Sequence, residues 1–358
     1  MDKHFWKGKK VLVTGHTGFK GGWLSLWLSM VGAEVTGFAL PPPTEPNIFN
    51  VADVKNEITS IEGDIRSFNN LESVISQNRP EIIFHLAAQP IVRESYRDPV
   101  TTYQTNIFGT VNLFEAIRCT NSVKAVVNVT SDKCYENHEW VWGYRETDPL
   151  GGFDPYSSSK ACSEIITTAY RNSFFNSERD LIHRPAIATA RAGNVIGGGD
   201  WGKDRLIPDI FNSIFNNNII VIRNPNAIRP WQHVLDPLNG YLLLAESLYK
   251  NAAEFGEPWN FGPSVNSARK VSWVVEKILD LYGKDISWEL DERSNPHEAT
   301  LLSLDCSKAI QRLGWSPKLD IFTSLKWVVE WMKEYRNKSN MKEITENQIL
   351  DFMEMTIP

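Results

Sequence analysis

A tyrosine and a lysine lie four residues apart in this chain, at Tyr156 and Lys160, in a stretch that predicts a helix continuing to about residue 174. Residues spaced by four share one face of a helix, so the two side chains would lie together. A lysine ammonium lowers the pKa of a neighbouring phenol, which is normally near ~10, and such a phenol can act as a base at neutral pH. A tyrosine and a lysine with this spacing occur by chance in many helices, so the interpretation of the pair depends on its surroundings.

Three more polar side chains follow the strand that the sequence predicts at residues 123–130, namely Ser131, Asp132 and Lys133. In open α/β sheets, ligands bind beyond the carboxyl ends of the strands. The sequence therefore predicts that this strand end and Tyr156 converge on one site. The neighbouring Cys134 and Tyr135 are interpreted as walls of that site.

Three glycines with the spacing Gly-x-x-Gly-x-x-Gly follow a short apolar strand at residues 11–13 and precede an apolar helix at residues 23–31. Such glycines permit a tight turn, a close approach of backbone to a pyrophosphate, and close packing of helix on strand. The helix N-terminus adds unpaired N–H groups and the positive end of a dipole. This order predicts a dinucleotide site, and the predicted contacts are Gly15, Thr17, Gly18, Phe19, Lys20 and Gly21.

The second strand, predicted at residues 34–40, ends without the acidic residue that often binds the adenosine ribose. No Arg or Lys follows directly to receive a 2′-phosphate, so NAD is favoured over NADP. Asp64, after the strand at residues 58–62, is interpreted either as an acceptor for the adenine amino group or as a helix cap, with equal weight. Small residues after the fourth strand, at residues 81–85, would let backbone pass close to a ligand. The predicted contacts here are Asp64, Ile65, Leu86, Ala87 and Ala88.

Strands alternate with helices from the first residues onward, which predicts an α/β fold with a Rossmann-type, doubly wound parallel sheet. Residues 1–192 are predicted to form the NAD-binding domain, to which segments near 230–262 return. Residues 193–340 are predicted to form mainly a smaller mixed α/β domain that binds substrate. Residues 341–358 form a polar tail for which the sequence indicates no role.

The composition, 42% hydrophobic and 22% charged over 358 residues, is that of a soluble globular protein. A net charge of -6 argues against broad nucleic-acid binding. No apolar run is long enough for a bilayer and no signal-peptide core is evident, so a cytoplasmic protein is expected. The four cysteines and the histidines His233 and His297 lack metal-ligand spacing, so no metal is predicted.

Several motifs in order make this chain resemble the extended short-chain dehydrogenases/reductases, and within them the sugar-nucleotide 4,6-dehydratases. The resemblance covers about the first 330 residues. The motifs are Thr14-Gly15-x-x-Gly18-x-x-Gly21, Gly63-Asp64, Leu86-Ala87-Ala88, Tyr156-x-x-x-Lys160 and Arg191-x-Gly193-Asn194-Val195. In four segments the chain is similar to the branch of this family that acts on CDP-glucose. These segments are Pro42-Pro43-Thr44-x-Pro46-Asn47-Ile48-Phe49, Ser131-Asp132-Lys133-Cys134-Tyr135, Gly198-Gly199-Asp200-Trp201 and His297-Glu298-Ala299.

The resemblance implies an NAD-dependent dehydration of CDP-glucose to CDP-4-dehydro-6-deoxyglucose, in deoxysugar and O-antigen biosynthesis. Tyr156, poised by Lys160, would take the proton of the sugar 4-hydroxyl, and Ser131 would hydrogen-bond the same oxygen. Asp132, held protonated, would protonate the leaving 6-hydroxyl. Lys133 stands where the TDP-glucose relatives carry a glutamate base, and it would need to lose its charge to take the proton from C5.

Two alternatives stay open for these polar residues. Lys133 is either that base or a charge partner for Asp132 or the substrate, with another group moving the C5 proton. Arg205 is either a ligand of the substrate diphosphate or a surface ion pair. The predicted substrate contacts are Gln89, Asn194, Arg205, Leu206, Arg229 and His297.

Two other functions share part of this pattern. A sugar-nucleotide 4-epimerase would share Tyr156 and Lys160 but has no use for Asp132 and Lys133. A non-catalytic NAD-sensing protein would be expected to have lost the tyrosine or the lysine. The resemblance also implies a homodimer, or a homotetramer, with a four-helix interface from residues 109–118 and 156–170.

Overall fold

The computed structural model describes residues 1–175, 185–293 and 301–356. Thirteen strands lie in this described part of the chain. They are β1 (Lys10–Thr14), β2 (Glu34–Ala39), β3 (Thr59–Glu62), β4 (Ile82–His85), β5 (Ala125–Val129), β6 (Ala186–Arg191), β7 (Val195–Ile196), β8 (Ile220–Ile222), β9 (Ile228–Pro230), β10 (Gln232–His233), β11 (Pro258–Asn260), β12 (Ala268–Lys270) and β13 (Trp288–Leu290).

Seven of these strands form one parallel sheet in the order β11-β6-β5-β4-β1-β2-β3. The order reverses between β1 and β4, which is the crevice where dinucleotides bind in doubly wound sheets. The fold class predicted from the alternation of strands and helices is confirmed. The remaining strands form three two-stranded pairs, β7 with β10, β8 with β13 and β9 with β12.

Sixteen α-helices accompany the strands in the described residues. They are α1 (Lys3–Trp6), α2 (Phe19–Met30), α3 (Ile48–Val51), α4 (Val54–Glu57), α5 (Phe68–Asn78), α6 (Val92–Arg97), α7 (Pro99–Tyr103), α8 (Gly109–Arg118), α9 (Pro155–Ser173), α10 (Leu206–Asn216), α11 (Leu235–Lys250), α12 (Ala252–Phe255), α13 (Val271–Tyr282), α14 (Ser307–Leu313), α15 (Ile321–Arg336) and α16 (Met341–Glu354). No helix in these residues is long and apolar enough to cross a membrane.

Helices cover both faces of the sheet because successive strand residues point to opposite faces. On β1, Val11 and Val13 belong to the larger apolar core, together with residues of α2, α11 and α15. Leu12 between them belongs to a second core, with residues of α5 and α8. Strand β1 is therefore buried on both faces, as its continuous apolar sequence indicates.

Two elements differ from the prediction. Helix α2 begins at Phe19, four residues before the predicted start. Its first turns include Gly21 and Gly22, which are both buried. The sequence also predicts helices over residues 98–117, and the structure divides this stretch into α7, a π-helical segment Gln104–Phe108, and α8. The π-helical segment holds Asn106, which is buried against the loop after β4.

The C-terminal tail, for which the sequence indicates no role, forms α16. Its Met341, Ile349 and Phe352 are buried in the larger core. The ring of Phe352 meets the ring of Trp27 on α2 edge to face, with centroids 5.6 Å apart. Helix α16 therefore covers the outer side of the helix that follows the glycine turn.

Candidate active site

The loops after β5 and β6 meet the first turn of α9. Ser131 and Asp132 follow β5 and are 5% and 3% exposed. The side chain of Asp154 caps α9 by accepting a hydrogen bond from the Ser157 N–H at 2.9 Å, which fixes the start of the helix. Tyr156 consequently lies in the first helical turn, 8% exposed. The structure thus brings together the two groups that the sequence placed at one site.

Polar contacts join these side chains. The Tyr156 hydroxyl interacts with Ser131, and the Ser131 hydroxyl donates a hydrogen bond to Asp132 Oδ1 at 3.0 Å. Asn194 Nδ2 donates to the other carboxylate oxygen at 3.4 Å. A Cβ at Gly193 would lie 1.8 Å from Asp132 Oδ2, so only glycine leaves room for this carboxylate.

The expected lowering of the Tyr156 pKa is not found in the protein alone. Burial raises the pKa of Tyr156 to about 12, and the interaction with Ser131 only partly opposes that rise. The Lys160 ammonium donates to the Val129 carbonyl at 3.3 Å. At neutral pH the tyrosine is therefore a neutral phenol in the protein without its cofactor.

The sequence analysis did not identify a buried ion pair that joins α9, which carries Tyr156, to β6. Arg191 Nη2 donates to Glu164 Oε2 at 2.8 Å, and the two side chains are 2% and 1% exposed. Thr130 and Thr189 also donate to this carboxylate, at 2.5 and 2.7 Å. The spacing Tyr156-x-x-x-Lys160-x-x-x-Glu164 was the signal that could have found it, because all three share one face of α9.

Glu164 also affects the pKa of Lys160, which lies one turn away on the same helix. Burial lowers the pKa of Lys160 to about 8, and the Glu164 carboxylate opposes that fall. Arg191 extends the network by donating to the Tyr135 hydroxyl at 2.7 Å. The buried pair therefore links the helix that carries Tyr156 to the loop that carries Asp132.

Lys133 has a different environment from its neighbours. It lies in the short 3₁₀ turn Asp132–Cys134 and is exposed, whereas Asp132 and Cys134 on either side are buried. The desolvation that a neutral lysine base requires is therefore not supplied by the protein alone. The two alternatives for Lys133 stay open.

The glycine turn fits a dinucleotide. Gly15 has φ +78°, and a Cβ there would lie 2.7 Å from the backbone nitrogen of Ala87 at the end of β4. Gly18 occupies the N-cap of α2 without a side-chain cap, so no side chain there competes for the N–H groups of the first turn. Thr17 is buried and its hydroxyl donates to the Leu40 carbonyl at 2.9 Å. Backbone at the ends of β1, β2 and β4 thus surrounds Gly15 closely, and a Cβ at Gly15 would fill the remaining space.

Lys20, in the first turn of α2, faces the catalytic residues. Burial lowers its pKa to about 7, and the charged groups near it are Asp132, Arg205 and Lys160. Its ammonium lies 3.5 Å from the Tyr241 hydroxyl. The predicted cofactor turn and the predicted catalytic strand end are therefore adjacent.

The other predicted cofactor contacts lie along the same edge. Asp64 accepts from the Arg66 N–H and Nε, both at 2.8 Å, and it does not cap α5, whose N-cap is Ser67. Ile65 is buried against Gly109 in the second core, so its side chain is a packing group. Leu86, Ala87 and Ala88 follow β4 and are half-buried.

Two predicted substrate contacts already have partners within the chain. The Gln89 side chain donates to Thr102 at 2.8 Å and accepts from the Ile91 N–H at 2.5 Å. Arg205 Nη1 donates to Asp200 at 3.1 and 3.0 Å. The Arg205 side chain keeps 34% exposure, and its charge acts on Tyr156. Arg205 is therefore ion-paired with Asp200 and lies near Tyr156, and its contact with the substrate diphosphate stays a prediction.

The remaining predicted contacts lie in the second half of the chain. Arg229, half-buried on β9, pairs across the antiparallel ladder with Arg269 on β12. Leu206 is the first residue of α10 and packs against the larger core. His297 lies outside the described residues. His233 is buried with ring contacts to Trp23 and Trp327.

Comparisons with known proteins agree with this geometry. The family model described as GDP-mannose 4,6 dehydratase matches residues 12–326. The chain is 52% identical to the CDP-glucose 4,6-dehydratase of Salmonella typhimurium, over 99% of both chains. It is 26% identical to a UDP-glucose 4-epimerase of Halalkalibacterium halodurans, over 91% of this chain and 96% of that one.

Among solved structures, the dTDP-glucose 4,6-dehydratase of Bacillus anthracis in complex with NAD is similar, with a TM-score of 0.76. The identity is 24%, over 94% of this chain and 100% of that one. The UDP-glucose 4-epimerase of Thermotoga maritima with UDP-glucose has a TM-score of 0.77 and 23% identity, over 91% and 99% of the two chains. These likenesses show the fold.

The chain belongs to the GDP-mannose 4,6 dehydratase family, because the family model matches most of its length. The resemblance to the extended dehydrogenases/reductases that act on nucleotide sugars is thereby confirmed.

Proposed function

We propose that this protein is an NAD-dependent CDP-glucose 4,6-dehydratase. The observation that carries the proposal is the 52% identity to the Salmonella enzyme over 99% of both chains. The site supports it, because Asp132 and Lys133 stand beside Tyr156 and a dehydration needs an acid and a base in addition to the oxidising tyrosine. A 4-epimerase would have no use for that second pair.

NAD, when bound, takes up the hydrogen at C4 of the sugar with its electron pair and returns it at C6. The glycine turn would hold its diphosphate at the N-terminus of α2, supported by Thr17, Phe19 and Lys20. Asp64, Ile65, Leu86, Ala87 and Ala88 are proposed to line the rest of the cofactor site. The backbone that closely surrounds Gly15 makes this assignment consistent with the close backbone approach that a dinucleotide requires.

The chain's own residues would move the protons. Tyr156 would accept the proton of the 4-hydroxyl, and Ser131 would hold the same oxygen. Oxidation at C4 leaves a ketone, which acidifies the proton on C5. Lys133 would take that proton once substrate and cofactor cover its exposed ammonium, and Asp132 would protonate the departing 6-hydroxyl.

The substrate diphosphate would be held by arginines. Arg205, whose charge acts on Tyr156, and Arg229 on β9 are the arginines proposed for this role. Asn194, which already donates to Asp132, would position the sugar. Gln89, Leu206 and His297 complete the proposed set of substrate contacts.

A homodimer is proposed to form through α8 and α9. Large apolar side chains are exposed on and beside these helices, with Phe108 61% and Ile165 55% exposed. Two copies would bury them in a four-helix interface. Light scattering behind a sizing column is expected to give twice the 40.7 kDa chain mass, and a monomer would overturn the dimer.

Incubation with CDP-glucose and NAD tests the function directly. The expected product is a 4-keto-6-deoxy sugar nucleotide, detected by its absorbance in alkali, with no net accumulation of reduced NAD. TDP-glucose in a parallel tube tests the choice of nucleobase. Formation of CDP-galactose would instead support the epimerase, and NAD binding without turnover of any sugar nucleotide would support the sensor.

A further inference from the structure

The proposed function, on which this inference rests, requires the protons of each turnover to balance. Oxidation at C4 places one proton on Tyr156. Elimination removes one proton from Asp132, because the C6 hydroxyl leaves as water. Lys133 takes a proton from C5 and gives one back to C5, so it is balanced within the cycle. For each turnover to restore the protein, one proton must pass from the tyrosine to the aspartate.

The structure places three side chains along one path for that proton. The Tyr156 hydroxyl interacts with Ser131, and the Ser131 hydroxyl donates to Asp132 Oδ1 at 3.0 Å. Asn194 donates to Asp132 Oδ2. Each oxygen of the Asp132 carboxyl group thus accepts a hydrogen bond from another residue. All three members of the path are buried, at 8%, 5% and 3% exposure.

We propose that Tyr156, Ser131 and Asp132 form a proton relay that carries the proton of the sugar 4-hydroxyl to the Asp132 carboxylate, which then protonates the 6-hydroxyl as it leaves. Asp132 is thereby the final base of the oxidation as well as the acid of the elimination.

The atoms and electrons balance in two steps. In the first, the 4-hydroxyl proton would move to the Tyr156 oxygen while the C4 hydrogen and its electron pair would be taken up by bound NAD, the oxidant of the proposed function. The tyrosine would give its own proton to Ser131, and the serine would give its proton to Asp132. In the second, the C5 proton would move to Lys133, the C6–O bond would break, and Asp132 would protonate that oxygen to give water. Return of the hydrogen with its electron pair to C6 and of the proton to C5 would restore every group.

The relay resolves the difficulty that the buried phenol presents. With a pKa raised to about 12, Tyr156 rarely ionises at neutral pH. A phenol that passes on one proton as it receives another never carries a negative charge, so the cost of burying a phenolate is avoided. The relay also orders the reaction, because Asp132 can protonate the 6-hydroxyl only after oxidation has delivered the proton.

Asp132→Asn tests the relay, with CDP-6-deoxyglucose as the substrate. This sugar has no 6-hydroxyl, so oxidation occurs without elimination and the reduced nicotinamide accumulates in a stopped-flow trace. The relay predicts that the variant oxidises this substrate at least about 100-fold more slowly than the wild type, the usual scale for loss of a proton-transfer group.

Direct ionisation of the tyrosine predicts the opposite sign. The Asp132 charge raises the pKa of Tyr156, so removing it would favour the phenolate and leave oxidation as fast or faster. That result would overturn the relay. Arg312→Gln, which removes a surface ion pair with Glu257, is the control and should oxidise the deoxy substrate at the wild-type rate.

Two further variants separate the relay from a merely structural role of Ser131. Ser131→Thr keeps the hydroxyl and should retain both the rate and a curved dependence of that rate on the deuterium fraction of the solvent, as several moving protons produce. Ser131→Ala should lose the curvature while still binding NAD. Equal curvature in both would overturn the relay alone. A wild type that oxidises neither CDP-6-deoxyglucose nor CDP-glucose would overturn the proposed function itself.

Discussion

Two arginine–carboxylate pairs show how differently the two halves of this protein hold their charges. Arg191 and Glu164, behind the catalytic helix, are 2% and 1% exposed, and the carboxylate accepts hydrogen bonds from two threonines as well. Arg205 and Asp200, beside the proposed substrate site, are 34% and 8% exposed. Their shortest N–O distances are similar, 2.8 and 3.0 Å.

The difference lies in what each pair can do next. The buried pair is almost completely shielded from water, so removing one member leaves a charge without compensation. The second pair has an arginine that faces solvent and Tyr156, so its guanidinium group can also reach a substrate phosphate while Asp200 stays its partner. The first pair fixes the catalytic geometry, whereas the second is suited to binding.

The largest effect is expected from Glu164→Gln, which leaves Arg191 charged and buried. The free energy of unfolding should fall by about 3–5 kcal/mol. Denaturant titration measures it, and Asp200→Asn is the matched control, with an expected loss within about 1 kcal/mol. Equal losses in the two variants would show that burial does not distinguish the pairs.

Arg205→Gln should act on binding instead of stability. Losing a charge-assisted hydrogen bond to a phosphate costs about 1.5–3 kcal/mol, so KM for CDP-glucose should rise at least about tenfold with kcat little changed. Steady-state kinetics measure both constants. Arg312→Gln, which removes a surface pair with Glu257, is the control, and a KM equal to that of this control would contradict the binding role.

Lys160→Met is expected to stabilise the protein while it removes activity. The pKa of Lys160 is lowered from 10.5 to about 8, so its charged form is disfavoured in the folded state by up to about 3 kcal/mol at neutral pH. The gain should be fully present below pH ~8, because the lysine is then charged in both states, and it should shrink as pH rises toward ~10.5. Urea titrations at several pH values measure the gain, and a destabilised variant would refute it.

The smallest effect is expected from Arg66→Gln. The Arg66 side chain is 38% exposed, and its bond to Asp64 is screened by water. The free energy of unfolding should change by no more than about 0.5 kcal/mol in the same denaturant titration. A loss of stability as large as that expected for Glu164→Gln would show that the exposure of an ion pair does not determine the free energy lost when the pair is broken.

Much of the cofactor half could be predicted from the sequence because its signals are local. The sequence located β1 to β5 to within about two residues at either end. Strands β1, β4 and β5 are short apolar runs, the pattern that strands buried on both faces leave. The glycine spacing located the turn before α2. The C-terminal helix escaped prediction because its few apolar residues become a buried face only against Trp27 and its neighbours.

The candidate site was less accessible to the same reasoning. Tyr156, Lys160, Ser131 and Asp132 were identified by spacing and by their strand end. The partners that set their behaviour were not, because Glu164 and Arg191 are separated by 27 residues and meet only across the sheet. The exposure of Lys133 and the raised pKa of Tyr156 also depend on non-local packing.

The sequence by itself determined the alternation of strands and helices, the place of the dinucleotide turn and the identities of the reacting groups. These depend on periodicity and on residue type, which are properties of short segments. Only the tertiary structure decided which carboxylate is buried against which arginine, that Ser131 lies between Tyr156 and Asp132, and that the tyrosine is a neutral phenol. Desolvation and hydrogen bonding depend on neighbours far away in the chain, and folding alone brings them together.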